Sequence, residues 1–88
     1  MKVRFKSSFG KDLRNLKNKN ILAKVQKAVQ NAEEAESPQD IHHFKKLRVS
    51  SVYFRIKIGD YRIGVELEND TLIFWRVLSR REIYRYFP

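Results

Sequence analysis

From Val52 onward, hydrophobic and polar residues alternate one by one: Val52, Phe54, Ile56 and Ile58 are separated by Tyr53, Arg55 and Lys57. A period of two belongs to a strand with one face in a core and the other outside. Gly59-Asp60 follows, where a two-residue hairpin turn of type II′ calls for glycine because its first position takes a positive φ. That turn predicts a register. Ile58 lies opposite Tyr61, Ile56 opposite Ile63, Phe54 opposite Val65 and Val52 opposite Leu67, all on the core face, while the outer face sets Lys57 against Arg62, Arg55 against Gly64 and Tyr53 against Glu66. A second turn falls at Glu68-Asn69-Asp70-Thr71. The strand after it is expected to send Ile73, Trp75 and Val77 inward and to leave Arg76 and Leu78 on the outer side. Turn length decides this, since a one-residue slip exchanges the faces.

The first half has a different period. Val3 and Phe5 alternate with Lys2, Arg4 and Lys6, which predicts a short strand; Ser7 or Ser8 can then cap a helix carrying Phe9, Leu13 and Leu16. Asn15 to Asn20 reads as a break. A second helix beginning near Lys19 or Asn20 presents Ile21, Leu22, Val25, Ala28, Val29 and Ala32 at helical spacing and ends before Pro38. Gln39-Asp40 leads as a loop into His42-His43 and Lys45-Lys46-Leu47-Arg48. The expected fold is thus α+β: an N-terminal strand, a two-helix hairpin, then a three-stranded antiparallel meander forming one small twisted sheet, all in a single domain over residues 1–88.

Two cations directly opposite one another on neighbouring strands destabilise a sheet. Lys57 and Arg62 therefore mark a place for an anion, together with Arg55, Arg80 and the gap left by Gly64. Phosphate suits such a set, because guanidinium groups match its oxygens in pairs. Trp75 could instead offer a stacking platform for a base, although a large aromatic within a strand more often packs inward. The adjacent histidines cannot share one helix or strand face, and with no cysteine and no spaced third histidine they read as surface residues rather than metal ligands.

Charge narrows the partners. There are 19 lysines and arginines against 10 acidic residues, a formal charge of +9 over 88 residues. This favours a polyanion. The basic residues are spread, 12 in the first fifty positions and 7 after them, so the charge belongs to the folded domain and not to a tail. The absence of cysteine excludes disulfides and thiolate chemistry and is compatible with a reducing cytoplasm. The opening MKVRFKSSF lacks the apolar stretch of an export signal, and no run is long enough to cross a bilayer. With no cationic amphipathic helix bearing exposed aromatics, nucleic acid is a better partner than a membrane.

The order of elements, the string Arg55-Ile56-Lys57-Ile58-Gly59-Asp60-Tyr61-Arg62 and the later Ser79-Arg80-Arg81-Glu82-Ile83-Tyr84 together resemble the RelE side of the RelE/ParE toxin superfamily, small toxins of bacterial toxin-antitoxin pairs. The resemblance covers nearly the whole chain. It implies a cytoplasmic toxin that cuts messenger RNA in the ribosomal A site without metal or other cofactor and is held inactive by an antitoxin with an acidic, partly disordered segment. By position, Arg55 and Lys57 match the family's basic pair, with Lys57 the proton acceptor. Arg62 matches the phosphate clamp, Arg80 the residue assisting the leaving oxygen, and Tyr84 the tyrosine that stacks on or orients a nucleotide. Glu66 and Glu82 offer an alternative base, or plain ion pairs with neighbouring arginines. This chain departs from many members in having Leu78-Ser79 where they have Gly-His, and Arg48-Val49 where they have glycine after Lys-Leu. A ParE-like inhibitor of DNA gyrase and a non-catalytic RNA-binding module are the alternative functions.

Overall fold

The computed structural model describes residues 1–48 and 51–88, so Val49 lies outside the described residues. The chain forms β1 (Lys2–Phe5), α1 (Ser7–Asn15), α2 (Lys19–Glu34), a 3-10 turn at Pro38–Asp40, β2 (Phe44–Lys46), β3 (Tyr53–Ile58), β4 (Tyr61–Glu68), β5 (Thr71–Ser79) and α3 (Ile83–Tyr86). The strands make one five-stranded sheet in the order β1-β5-β4-β3-β2. Only β1 is parallel to its neighbour. The α+β expectation holds, and the meander gains a strand on each side.

Strand β2 takes in Phe44 and the first two residues of the Lys-Lys-Leu-Arg segment, for which the sequence predicts no element. It is three residues long, below any length at which alternation can be detected, and two of the three are lysines.

Both helices pack on one side of the sheet. Phe9 of α1 and Ile21, Val25 and Ala32 of α2 are buried in one cluster with Ile56, Ile58, Ile63, Val65, Leu72, Phe74 and Val77. Phe5, Phe9 and Phe74 cluster at ring-centroid distances of 5.4 to 5.7 Å, the first two stacked and Phe74 tilted against both, which ties β1, α1 and β5 together. Asn18 caps α2, accepting from the backbone N–H of Asn20 and Ile21 at 3.0 and 3.2 Å. The expected serine cap on α1 is absent. Lys6 holds the cap position, Ser7 is already helical, and the Ser8 hydroxyl donates to the Trp75 carbonyl at 2.6 Å.

That bond belongs to a larger arrangement. Strand β1 covers only the first half of β5, and beyond Phe74 the helix α1 lies along the bare edge instead. Ser8 takes the Trp75 carbonyl, and the Asp12 carboxylate accepts from the Val77 N–H at 3.0 Å. Polar side chains of a helix thereby satisfy ladder groups that would otherwise remain unpaired.

The β3–β4 register is the predicted one, residue for residue from Tyr53↔Glu66 to Ile58↔Tyr61, and Gly59 takes φ +61°. Val52 departs in burial. It still accepts a backbone bond from Leu67, but it precedes β3 and remains 39% exposed. The second hairpin corrects the expectation for β5. A two-residue turn with Asn69 at φ +57° pairs Glu68 with Thr71, which turns Leu72 and Phe74 inward and Ile73 outward. A bulge then leaves Trp75 without a ladder partner between Val65↔Phe74 and Gly64↔Arg76. Of the three residues expected inside, Val77 alone joins the main core. Without the extra residue Arg76 would share a face with Phe74; with it, Arg76 and Leu78 reach the outer face as expected.

Candidate nucleic-acid interface

The outer face of the sheet is where cations from separate strands meet. Directly opposite residues on antiparallel strands point to the same side. The register therefore sets Lys57 beside Arg62, and runs a second row from Lys45 through Arg55 and Gly64 to Arg76. Arg80 follows the end of β5, and its backbone N–H donates to the Asp60 carbonyl at 2.8 Å, which holds this end against the first hairpin turn. Tyr84 of α3 is 60% exposed and borders, with Arg55, Lys45, Arg48 and Phe87, a groove of about 440 Å³.

Two of the guanidiniums are anchored. Arg62 Nη1 donates to the carbonyls of Gly59 and Tyr61 at 2.8 and 2.9 Å, and Arg55 Nη1 donates to the His43 carbonyl at 3.0 Å. In each case a single nitrogen of a group with five N–H donors is engaged, so Nε and Nη2 keep donors for a further acceptor. Among the described residues Arg76 with Asp12 is the one ion pair; Arg55, Lys57, Arg62 and Arg80 have no carboxylate within 4 Å. The expectation that Glu66 and Glu82 pair with arginines fails. Glu66 accepts from the Trp75 indole at 2.9 Å, and Glu82 bonds the Ser79 hydroxyl, where together they start α3. Trp75 is thus held by Glu66 below and by Lys6, whose ammonium lies 4.6 Å from the ring centroid.

The gap expected beside Arg55 is filled. Phe87 is buried against Gly64, and a Cβ built on that glycine would come within 2.6 to 2.8 Å of the phenyl ring. Tyr53 meets the same ring edge-on at 5.5 Å. Ile73, Ile83 and Phe87 are all buried yet lie outside the main core, so the short C-terminal helix rests on an apolar patch of its own on the outer face. Gly64→Ala is expected to lift Phe87 away, costing about 1–2 kcal/mol of the ring's burial. Loss of the Tyr53–Phe87 ring contact in a nuclear Overhauser spectrum, with a lowered denaturation midpoint, is the check.

Next to this patch, Arg76 Nε and Nη2 donate to the two carboxylate oxygens of Asp12 at 2.7 and 3.1 Å, and the guanidinium lies 5.9 Å from the Tyr86 ring. The Asp12 hydrogen bond raises the Arg76 pKa further above its ordinary value, against the opposing effect of partial burial. Sequence reading missed Asp12, Lys45 and Phe87. Sixty-four residues separate Asp12 from Arg76, and nothing local links them. The paired His42 and His43 are exposed, and His43 serves through its carbonyl, in a backbone turn at φ +59°.

This architecture has known counterparts. A family model described as the ParE toxin of type II toxin-antitoxin system, parDE, matches residues 3–84. Toxin RelE3 of Methanocaldococcus jannaschii is 39% identical over 89 residues, spanning all of both chains. A chain of the RelB-RelE antitoxin-toxin complex from Methanococcus jannaschii superimposes with a TM-score of 0.81 at 35% identity, covering 97% of this chain and 99% of that one. A chain of the toxin-antitoxin complex RelBE2 from Mycobacterium tuberculosis gives 0.70 at 27% identity over 90% of each.

Proposed function

This chain belongs to the RelE/ParE toxin superfamily, and from that premise we propose that it is a metal-independent endoribonuclease that cuts messenger RNA in the ribosomal A site and so arrests translation. The observation that carries the reading is the outer face itself: Arg55, Lys57 and Arg62 from two neighbouring strands, two of them anchored on backbone carbonyls, with no carboxylate within 4 Å of any of them among the described residues. A face kept positive at a cost in sheet stability supports an anionic ligand.

In the proposed reaction the ribose 2′-hydroxyl attacks the adjacent phosphorus, and the bond to the 5′ oxygen of the next nucleotide breaks. The products are a 2′,3′-cyclic phosphate and a free 5′-hydroxyl. Negative charge grows on the nonbridging oxygens, and Arg62 stabilises it with donors already in position, so little reorganisation is needed, while Arg55 alongside grips the RNA backbone. Lys57, beside Arg62, takes the hydroxyl proton. Arg80 stabilises the leaving oxygen electrostatically, since a guanidinium is too weak an acid to give up its proton, and the oxygen takes the proton that makes it a hydroxyl from water. Tyr84, exposed at the rim of the Arg55 groove, stacks on or orients a nucleotide.

The partner that restrains this activity is an antitoxin with an acidic, partly disordered segment that covers the outer face or displaces the end carrying Tyr84. The two similar solved structures named above are toxin-antitoxin complexes, which supports an antitoxin as the partner. Among the described residues no helix is long and apolar enough to cross a membrane, and the proposed targets place the protein in the cytoplasm.

Expression with and without the antitoxin, followed by primer extension on ribosome-bound message, tests the proposal. Breaks within codons and growth arrest are expected from the toxin alone, and both should vanish with the antitoxin. Intact message alongside normal growth would overturn it. The ParE description of the matching family favours one second reading, inhibition of DNA gyrase. DNA-damage signalling without message cleavage, surviving Lys57→Ala and Tyr84→Phe, would replace the nuclease by that reading.

A further inference from the structure

Strand β2 adds a cation to the outer face that the sequence did not reveal. Lys45 lies directly opposite Arg55, so the two side chains emerge side by side from an antiparallel pair, a second like-charge pair next to Lys57 and Arg62. Lys46, one residue on, is opposite Phe54 and turned to the other side of the sheet. Arg55 is anchored through Nη1 alone among the described residues, which leaves Nε and Nη2 to fork onto a second acceptor beside the lysine. The two pairs are two residues apart along β3, or about 6.7 Å at the rise of a strand. That spacing is comparable to the distance between successive phosphates in an extended RNA strand.

We infer that Lys45 and Arg55 form a second phosphate position, taking the phosphodiester next to the one held by Lys57 and Arg62. Single-stranded RNA is the ligand, and the inference rests on the nuclease reading above. The nucleotide between the two phosphates lies over the groove bordered by Tyr84 and Phe87, where an exposed tyrosine ring can take its base. The strand then crosses the sheet roughly along β3. Sequence-independent grip comes from the two cation pairs, and Tyr84 sets where along the strand the reactive phosphate stops.

The test compares two lysines of equal charge at opposite edges of the sheet, Lys45 on β2 and the exposed Lys2 on β1, because Lys46 borders the same groove as Lys45. Binding of a fluorescent, 2′-methoxy single-stranded RNA, which cannot be cut, is measured by polarisation over a range of salt concentrations for the native chain, Lys45→Ala and Lys2→Ala. Lys45→Ala is expected to weaken binding roughly tenfold and to lower the slope of log affinity against log salt by about 1, the signature of one lost phosphate contact. Lys2→Ala should change affinity less than about twofold, through the general field alone. A native chain that binds, with Lys45→Ala and Lys2→Ala indistinguishable, overturns the second position while leaving the nuclease reading intact. A native chain that fails to bind also overturns the second position, and the nuclease reading is then judged separately, by cleavage of ribosome-bound message.

Discussion

Arg62→Ala is expected to slow message cleavage about 10²- to 10³-fold, the range seen when one preorganised donor is removed from a developing oxyanion. The size follows from how Arg62 is held. Its Nη1 is fixed on two carbonyls of the turn that Gly59 makes possible, so the remaining donors stand in place before substrate arrives. Alanine removes both the charge and this order. The fold should survive, because the carbonyls of an exposed turn can bond water instead, and a change within about 1 kcal/mol is expected. Arg62→Lys separates charge from geometry: an ammonium cannot hold the turn and fork onto a phosphate together, so an intermediate rate is expected. Single-turnover cleavage of message on programmed ribosomes is the measurement. A rate within about threefold of the native one for Arg62→Ala, below any effect of a lost oxyanion donor, would remove Arg62 from the mechanism.

The largest loss of stability is expected from Asp12→Ala. One carboxylate, 10% exposed, serves Arg76 Nε, Arg76 Nη2 and the Val77 N–H at once. Its removal leaves a partly buried guanidinium and a strand N–H without partners. Orphaned groups of this kind cost about 2–4 kcal/mol together, a large share of the stability of a small domain. For a chain of this size that lowers Tm by roughly 10–30 °C. Asp12→Asn keeps one acceptor oxygen and the side-chain volume but loses the charge, and about half the effect is expected. Thermal denaturation followed by circular dichroism decides the matter; a Tm for Asp12→Ala within a few degrees of native would show that α1 does not seal the β5 edge.

How much of this could be read from the chain itself depended on the range of the interaction. The β3–β4 hairpin was legible because alternation, a turn glycine and a register are all local, and the rows Lys57–Arg62 and Arg55–Gly64 followed from them. Arg55, Lys57 and Arg62, the residues proposed for the site, therefore share one face of the sheet, as the register predicted. Strand β5 was misread at Ile73 because the turn before it holds two residues, and the return of Val77 to the core depends on a bulge at Trp75, which leaves no trace in a pattern of period two until the partner strand is known. Gly64 looked like a gap for the same reason: the ring that fills it comes from Phe87, outside any local pattern. Lys45 was hidden in a strand too short to have a period, and Asp12 in a helix whose apolar stripe said nothing about its polar side.

The parallel pairing of β1 with β5 has a bearing on synthesis. Lys2 meets Thr71 and Phe5 meets Phe74, so the first strand to leave the ribosome waits for the last before it has a neighbour. Long-range closure of this kind makes folding slow relative to chains built from local contacts. It also means that a growing chain can form its helical hairpin early but has no finished sheet, no seat for Phe87 and no complete row of cations until β5 has been made. For a protein proposed to cut messages under translation, assembly of the weapon is deferred by topology alone until that strand is free to pair.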